Sequence, residues 1–122
     1  MVDVICDTNF LIHLATKRIK NFDNIITEIG SLSFLVPNVV YSELITLKNN
    51  PKKQFEIDIT LEYIKKFQFV SIDGKYADKE ILNFIKLKKS IIGTMDKELK
   101  RKIKLLGSSV VSFKNDNLVL EN

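Results

Sequence analysis

Asp7, Glu43, Asp78 and Asp96 are the side chains of this sequence best placed to do chemistry. Each falls in a connection that leads from a β-like run into a helical pattern. Asp7 directly follows the run Val2–Cys6, and Asp96 comes a few residues after Ser90–Gly93. Asp78 lies in the first turn of the helix after Phe69–Ile72, and Glu43 lies within the helix after Ser33–Val36. In open α/β sheets ligands bind beyond the carboxyl ends of the strands, so the acids are expected at one edge. Clustered carboxylates repel one another, and protonation or a cation must relieve them. Oxygen donors without histidine or thiolate suit Mg2+ or Mn2+ rather than zinc. Two such ions about 3.5–4 Å apart clamp the attacking and leaving oxygens of a phosphodiester displacement, and no histidine base is needed.

Each acid also has an ordinary structural reading. Asp78 and Asp96 suit the first turn of a helix, where capping and the helix dipole favour a carboxylate, and Asp7 suits a cap before Thr8 and Asn9. Glu43 is harder to explain in that way. It shares a helical stripe with Val40, Leu44 and Leu47, and an inward charge is costly unless it is paired or ligates a metal. No lysine lies on that face, since Lys48 points elsewhere.

The composition removes most other enzyme chemistry. One cysteine and one histidine exclude a disulfide framework, multi-cysteine zinc sites and two-histidine zinc motifs. His13 reads as a surface or internally satisfied histidine, and Cys6 as strand core. Gly30, Gly74, Gly93 and Gly107 are too scattered for a phosphate-cradling loop. A receiver-type signalling module would need an acidic pair after the first strand, where this chain has a single aspartate followed by Thr8 and Asn9. Lys plus Arg is 19 against 15 Asp plus Glu, a net +4 that permits a polyanionic partner without demanding one.

The elements that must position these acids alternate. Strands are expected at Val2–Cys6, Ser33–Val36, Phe69–Ile72, Ser90–Gly93 and Ser109–Phe113. Helices are expected at Asn9–Arg18, Asn21–Ile29, Pro37–Lys48, Gln54–Phe67, Tyr76–Lys88 and Asp96–Leu106. Gly30 ends the second of these, and Asn115–Asn117 turn the chain into a last run, Leu118–Leu120. At 122 residues the chain is one domain, 1–122. The expected architecture is a three-layer α/β sandwich with a central, mostly parallel five-stranded sheet. No apolar run approaches the ~18 residues of a membrane span. Asp3 and Asp7 within the first apolar stretch argue against a signal peptide, so a cytoplasmic location is expected.

Four segments together resemble the PIN-domain ribonuclease family. Cys6-Asp7-Thr8-Asn9-Phe10-Leu11 resembles the family's opening motif, and Val39–Leu44 its second, a glutamate followed by leucine. Ala77-Asp78 with Ile81 resembles the third, and Gly93–Lys100 the fourth, where Met95 replaces the usual asparagine. The resemblance implies a Mg2+- or Mn2+-dependent endoribonuclease in which Asp7, Glu43, Asp78 and Asp96 bind metal. Thr8, Asn9 and Thr94 would support them. Leu99–Lys104 with Gly107 and Val110–Phe113 resemble archaeal relatives of the small-subunit processome nuclease, which implies a ribosomal RNA substrate. VapC-type toxins, which cut tRNA or ribosomal RNA and are held by an antitoxin, are the nearest alternative. A catalytically inert RNA-binding or assembly module is another.

Lys97, Lys100, Arg101 and Lys104, with Lys102 among them, form either a solvated helix face or an RNA-tracking patch beside Asp96. Lys52 and Lys53 lie in the loop before the fourth helix and could contact RNA or nothing. Asp73 and Asp116 read as turn formers. Tyr76 and Phe84 could stack on bases, although packing is the simpler reading. Phe55, Tyr63 and Phe67 exceed what one buried stripe requires, so a homodimer is expected through that face.

Overall fold

A computed structural model of the chain describes residues 2–17, 19 and 31–121. The expected helix at Asn21–Ile29, its Gly30 stop and Arg18 lie outside the described residues. The described elements are β1 (Val2–Cys6), α1 (Thr8–Thr16), β2 (Leu32–Pro37), α2 (Asn38–Leu47) and α3 (Gln54–Tyr63). A single 3-10 turn (Ile64–Lys66) then leads to β3 (Gln68–Val70), α4 (Ala77–Leu87), β4 (Ile91–Gly93), α5 (Lys97–Leu105), β5 (Ser109–Lys114) and β6 (Asn117–Glu121).

These strands form one sheet in the order β3-β2-β1-β4-β5-β6. Every neighbouring pair is parallel except β5 and β6. The sheet therefore has six strands rather than the expected five. The added strand is the Leu118–Leu120 run, which a tight turn folds back onto β5. Asn115 and Asp116 carry φ of 53° and 62°, and Lys114 pairs with Asn117 across them. Positive φ at both central residues is what a two-residue hairpin turn of the I′ kind requires, and Asn and Asp tolerate it.

The strand order matters more than the strand count. From β1 the chain moves outward to β2 and β3, then returns to add β4 on the other side of β1. The order reverses between β1 and β4, which is where open α/β sheets form their binding crevice. Val4, Ile5 and Cys6 pair with Ile91, Ile92 and Gly93, so both strands end at the same level. The Asp7 N–H then donates to the Gly93 carbonyl at 2.8 Å. A Cβ on Gly93 would lie 2.8 Å from the ring of Phe10, a fully buried residue. Glycine thus lets α1 seat its first turn directly over the end of β4.

Helices α1, α2 and α3 pack on one another, as do α4 and α5, and the sheet lies at the centre with helices flanking it. Val4, Ile92 and Val110 line its interior, with Phe10, Leu44, Ile81 and Ile103 supplied by the helices. The helix expected to reach Phe67 ends at Tyr63, and the strand expected to reach Ile72 ends at Val70. Ile72 leaves the sheet because its carbonyl accepts the Val39 N–H at 3.0 Å, meeting a donor in the first turn of α2.

Tyr63 and Phe67 are less available than the sequence suggested. Their rings meet edge-on at 5.3 Å, Phe67 lies 5.7 Å from Phe34, and Lys66 Nζ sits 4.1 Å over Tyr63. Phe55 alone of that trio is freely exposed, at 77%. Tyr41, Ile45 and Phe69 form a separate exposed apolar group on α2 and β3.

Candidate active site

Asp7, Glu43, Asp78 and Asp96 line one cleft of about 320 Å3 beyond the carboxyl ends of β1 and β4. Thr8, Asn9, Leu47, Lys53 and Ala77 complete its walls. The four acids come from four different connections, and strand order brings them together.

Asp7 stands at the N-cap position of α1, yet its side chain makes no capping bond. Its Oδ2 accepts the Thr94 hydroxyl at 3.1 Å, a contact spanning the switch point. Burial pushes the Asp7 carboxyl above its ordinary range. The Thr8 backbone N–H and the Thr94 hydroxyl oppose that shift, while the charges of Glu43 and Asp96 add to it. Asp7 therefore senses both of these acids across the cleft.

Glu43 is half-buried, as its stripe implied, and its partners are neither a lysine nor another acid. The Thr8 hydroxyl donates to Oε1 at 2.7 Å, and the Ala77 N–H at the start of α4 donates to Oε2 at 2.8 Å. A carboxylate at a helix N-terminus meets an unpaired donor and the positive end of the dipole. Glu43 thereby ties α1, α2 and α4 together beneath the cleft.

Asp96 and Asp78 are exposed at the rim. Asp96 caps α5 through Oδ1, which accepts the Leu99 N–H at 3.0 Å, and its own N–H donates to Thr94 Oγ1 at 3.2 Å. Thr94, fully buried, thus bridges Asp96 to Asp7. Asp78 Oδ1 accepts only the neighbouring Lys79 N–H, at 2.9 Å, among the bonds described. The capping reading of Asp96 is therefore correct. Among the described residues no group of three His, Cys, Asp or Glu side chains is close enough to hold a metal ion at once. Their hydrogen bonds to Thr8, Ala77, Thr94 and Leu99 spread the acids around the cleft instead.

The predicted RNA-contacting cations are largely engaged with acids. Lys100 and Lys104 pair with Glu121 at 3.1 and 2.8 Å, and Arg101 pairs with Glu98 at 2.6 Å. Lys104 first, with Lys100 beside it, holds Glu121 below the usual carboxylate range. Lys97 alone of the four predicted cations has no ion pair among the described residues. Among the described residues the cation that does line the cleft is Lys53, which the sequence placed in a loop that could contact RNA. It reaches the site because the start of α3 packs over α1, and no local signal announces that contact.

His13 does not line the acid cleft. Its ring lies 4.2 Å from Phe113, with Nε2 3.3 Å from Asp116 Oδ1 but without hydrogen-bond geometry. Asp116 faces His13 and does not line the cleft. Asp73 accepts from Asn38 at 3.0 Å in its turn, and Cys6 is buried strand core whose thiol pKa burial drives upward.

A family model described as a PIN-like domain matches residues 4–116 of this chain. The chain belongs to the PIN-like domain family. Among solved structures it is similar to the PIN domain endonuclease Utp24, at 26% identity and a TM-score of 0.72, with 95% of this chain and 90% of that one covered. It also resembles a domain of a functionally unknown protein from Methanocaldococcus jannaschii DSM 2661, at 18% identity and a TM-score of 0.55, covering 93% and 92%. The second likeness concerns the fold alone. No curated protein matches the sequence significantly. The matched PIN-like region holds all four acids, Thr8, Asn9 and Thr94, and the whole of β1 to β5 apart from the first two residues of β1.

Proposed function

We propose that this chain is a divalent-metal-dependent endoribonuclease. One observation carries the reading: Asp7, Glu43, Asp78 and Asp96 line a single cleft at the point where the sheet order reverses. The 26% identity with an endonuclease over almost the full chain supports the reaction class.

The donor set fits a hard cation. It is all oxygen, and burial together with two neighbouring acids disfavours the charged form of Asp7, a cost that a bound cation would relieve. Because no three acids among the described residues meet at one point, Asp7, Glu43, Asp96 and Asp78 would hold Mg2+ or Mn2+ with water supplying the remaining ligands. When bound, such an ion supplies a hydroxide-like nucleophile and neutralises charge on the leaving oxygen. The rest is work for the chain's own groups. Thr94 fixes the distance between Asp7 and Asp96 by bonding both. Thr8 and the Ala77 N–H orient Glu43, and Lys53 offers the cleft a cation for the substrate phosphate. The substrate proposed is ribosomal RNA, from the resemblance of Leu99–Phe113 to archaeal relatives of the processome nuclease.

The test is cleavage of a structured ribosomal RNA fragment in EDTA, Mg2+ or Mn2+ by wild type and Asp7→Asn. Divalent-dependent cutting that the substitution removes supports the assignment. Cutting that survives both EDTA and Asp7→Asn would refute it.

A further inference from the structure

Helices α4 and α5 end alike. Each closes on a leucine, Leu87 or Leu105, that is 92% or 73% exposed. Each leucine follows the last buried isoleucine of its helix, Ile85 or Ile103, by two residues. Two residues turn a helix by about 200°, so both leucines point away from the stripe that packs inward. Neither belongs to the core.

The sheet brings these two ends together. β4 and β5 are neighbours, and their first residues, Ile91 and Ser109, pair. Each leucine lies four residues before its member of that pair. The two connections touch: the Ser90 N–H donates to Ser108 Oγ at 3.2 Å, and a Cβ on Gly107 would lie 3.3 Å from Lys89 Nζ. This is the amino end of the parallel strands, and the acids lie beyond the carboxyl end.

Lysines accompany the leucines. Lys86, Lys88, Lys89 and Lys102 are exposed, and none has an ion pair among the described residues. Residues 81–90 and 99–109 contain no acid at all. A helix dipole accounts for cations at a C-terminus, but it does not account for exposed leucines among them.

We propose that this end of α4 and α5 docks an acidic segment of a partner protein, with aliphatic side chains against Leu87 and Leu105 and carboxylates against the lysines. Charge complementarity requires an anionic partner, and the leucines select among anions. A nucleic-acid backbone would meet the lysines and leave the leucines in water. A bilayer contact draws on interfacial aromatic side chains. Phe84, the one aromatic of these two stretches, packs against the core instead. An acidic segment that carries leucines satisfies both features. A partner held here leaves the acid cleft open.

The test uses the full chain with isotope-labelled leucine methyl groups, titrated with an amphipathic peptide of glutamate and leucine at helical spacing. Anisotropy follows binding, and methyl spectra locate it. Saturable binding that moves the Leu87 and Leu105 methyls and leaves the His13 ring unmoved is expected. Leu87→Ser with Leu105→Ser alters exposed positions only, and circular dichroism checks that the variant folds. It should weaken binding at least about 10-fold, and a peptide with alanine in place of leucine should lose as much. Lys88→Glu with Lys89→Glu should abolish binding. No binding, or an affinity that neither the leucine variants nor the alanine peptide changes, overturns the proposal. Equal movement of the same methyls with duplex RNA or with phosphatidylserine vesicles also overturns it, and assigns the surface to a nucleic acid or a membrane.

Discussion

Thr8→Val removes one hydroxyl from beneath the acids and keeps the shape of the side chain. Thr8 is only 5% exposed, and its hydroxyl lies 2.7 Å from Glu43 Oε1. Glu43 would keep the Ala77 N–H on its other oxygen and lose its bond to α1. A hydrogen bond to a charged group contributes about 1.5–3 kcal/mol, and the half-buried carboxylate can recover part of that from water, so the lower figure applies. With a urea slope of about 1–3 kcal/mol/M, a loss of about 1.5 kcal/mol lowers the unfolding midpoint by about 0.5–1.5 M. Urea unfolding followed by circular dichroism measures it, with Thr8→Ser as the control that keeps the donor. A double-mutant cycle with Glu43→Gln isolates the pair. The same variant should lose cleavage at fixed Mg2+ and recover some of it as Mg2+ rises, because a freed Glu43 is less well oriented for an ion. A midpoint equal to wild type, or a cycle with no coupling, would refute the claim that Thr8 holds Glu43.

Asp7→Asn should stabilise the metal-free protein at pH 7 while abolishing cleavage. The folded-state pKa of Asp7 is raised, so its stabilising contribution is complete below the ordinary value of 3.8 and is lost as pH rises through the folded value. The stability gap between variant and wild type should therefore close on acidification; a gap that is constant with pH, in thermal melts without divalent ions, contradicts this. Gly93→Ala should cost about 1–3 kcal/mol, because its Cβ would press on the buried ring of Phe10, and a melting temperature equal to wild type would count against that packing. Glu121→Gln should release Lys100 and Lys104 and steepen the salt dependence of RNA binding; an unchanged slope in anisotropy titrations would place both lysines away from the RNA.

The residue pattern alone carried much of the architecture. β-branched runs alternating with amphipathic stretches imply a parallel sheet, and the described elements follow that order. Glu43 stood out because a charge on an apolar stripe conflicts with its own helix. Boundaries shifted where a tertiary bond intervened, as at Ile72, whose carbonyl serves α2 instead of extending β3. The sixth strand was legible as a hydrophobic run after Asn115-Asp116, but pairing it required both residues to adopt positive φ.

Sequence by itself determined which groups are present: four acids at strand-to-helix connections, a single histidine, and threonines beside two of the acids. Tertiary structure decided which of them meet. Thr94 bonds Asp7 from 87 residues away, and Thr8 bonds Glu43 from 35. Such contacts depend on β4 returning to the side of β1, which no local propensity encodes. The basic face of α5 shows the converse. Its spacing was plain in the sequence, yet Glu121 on β6 engages two of its lysines, and Lys53 lines the cleft. A charge acts through its distance to other charges, and the chain fixes those distances only when it folds.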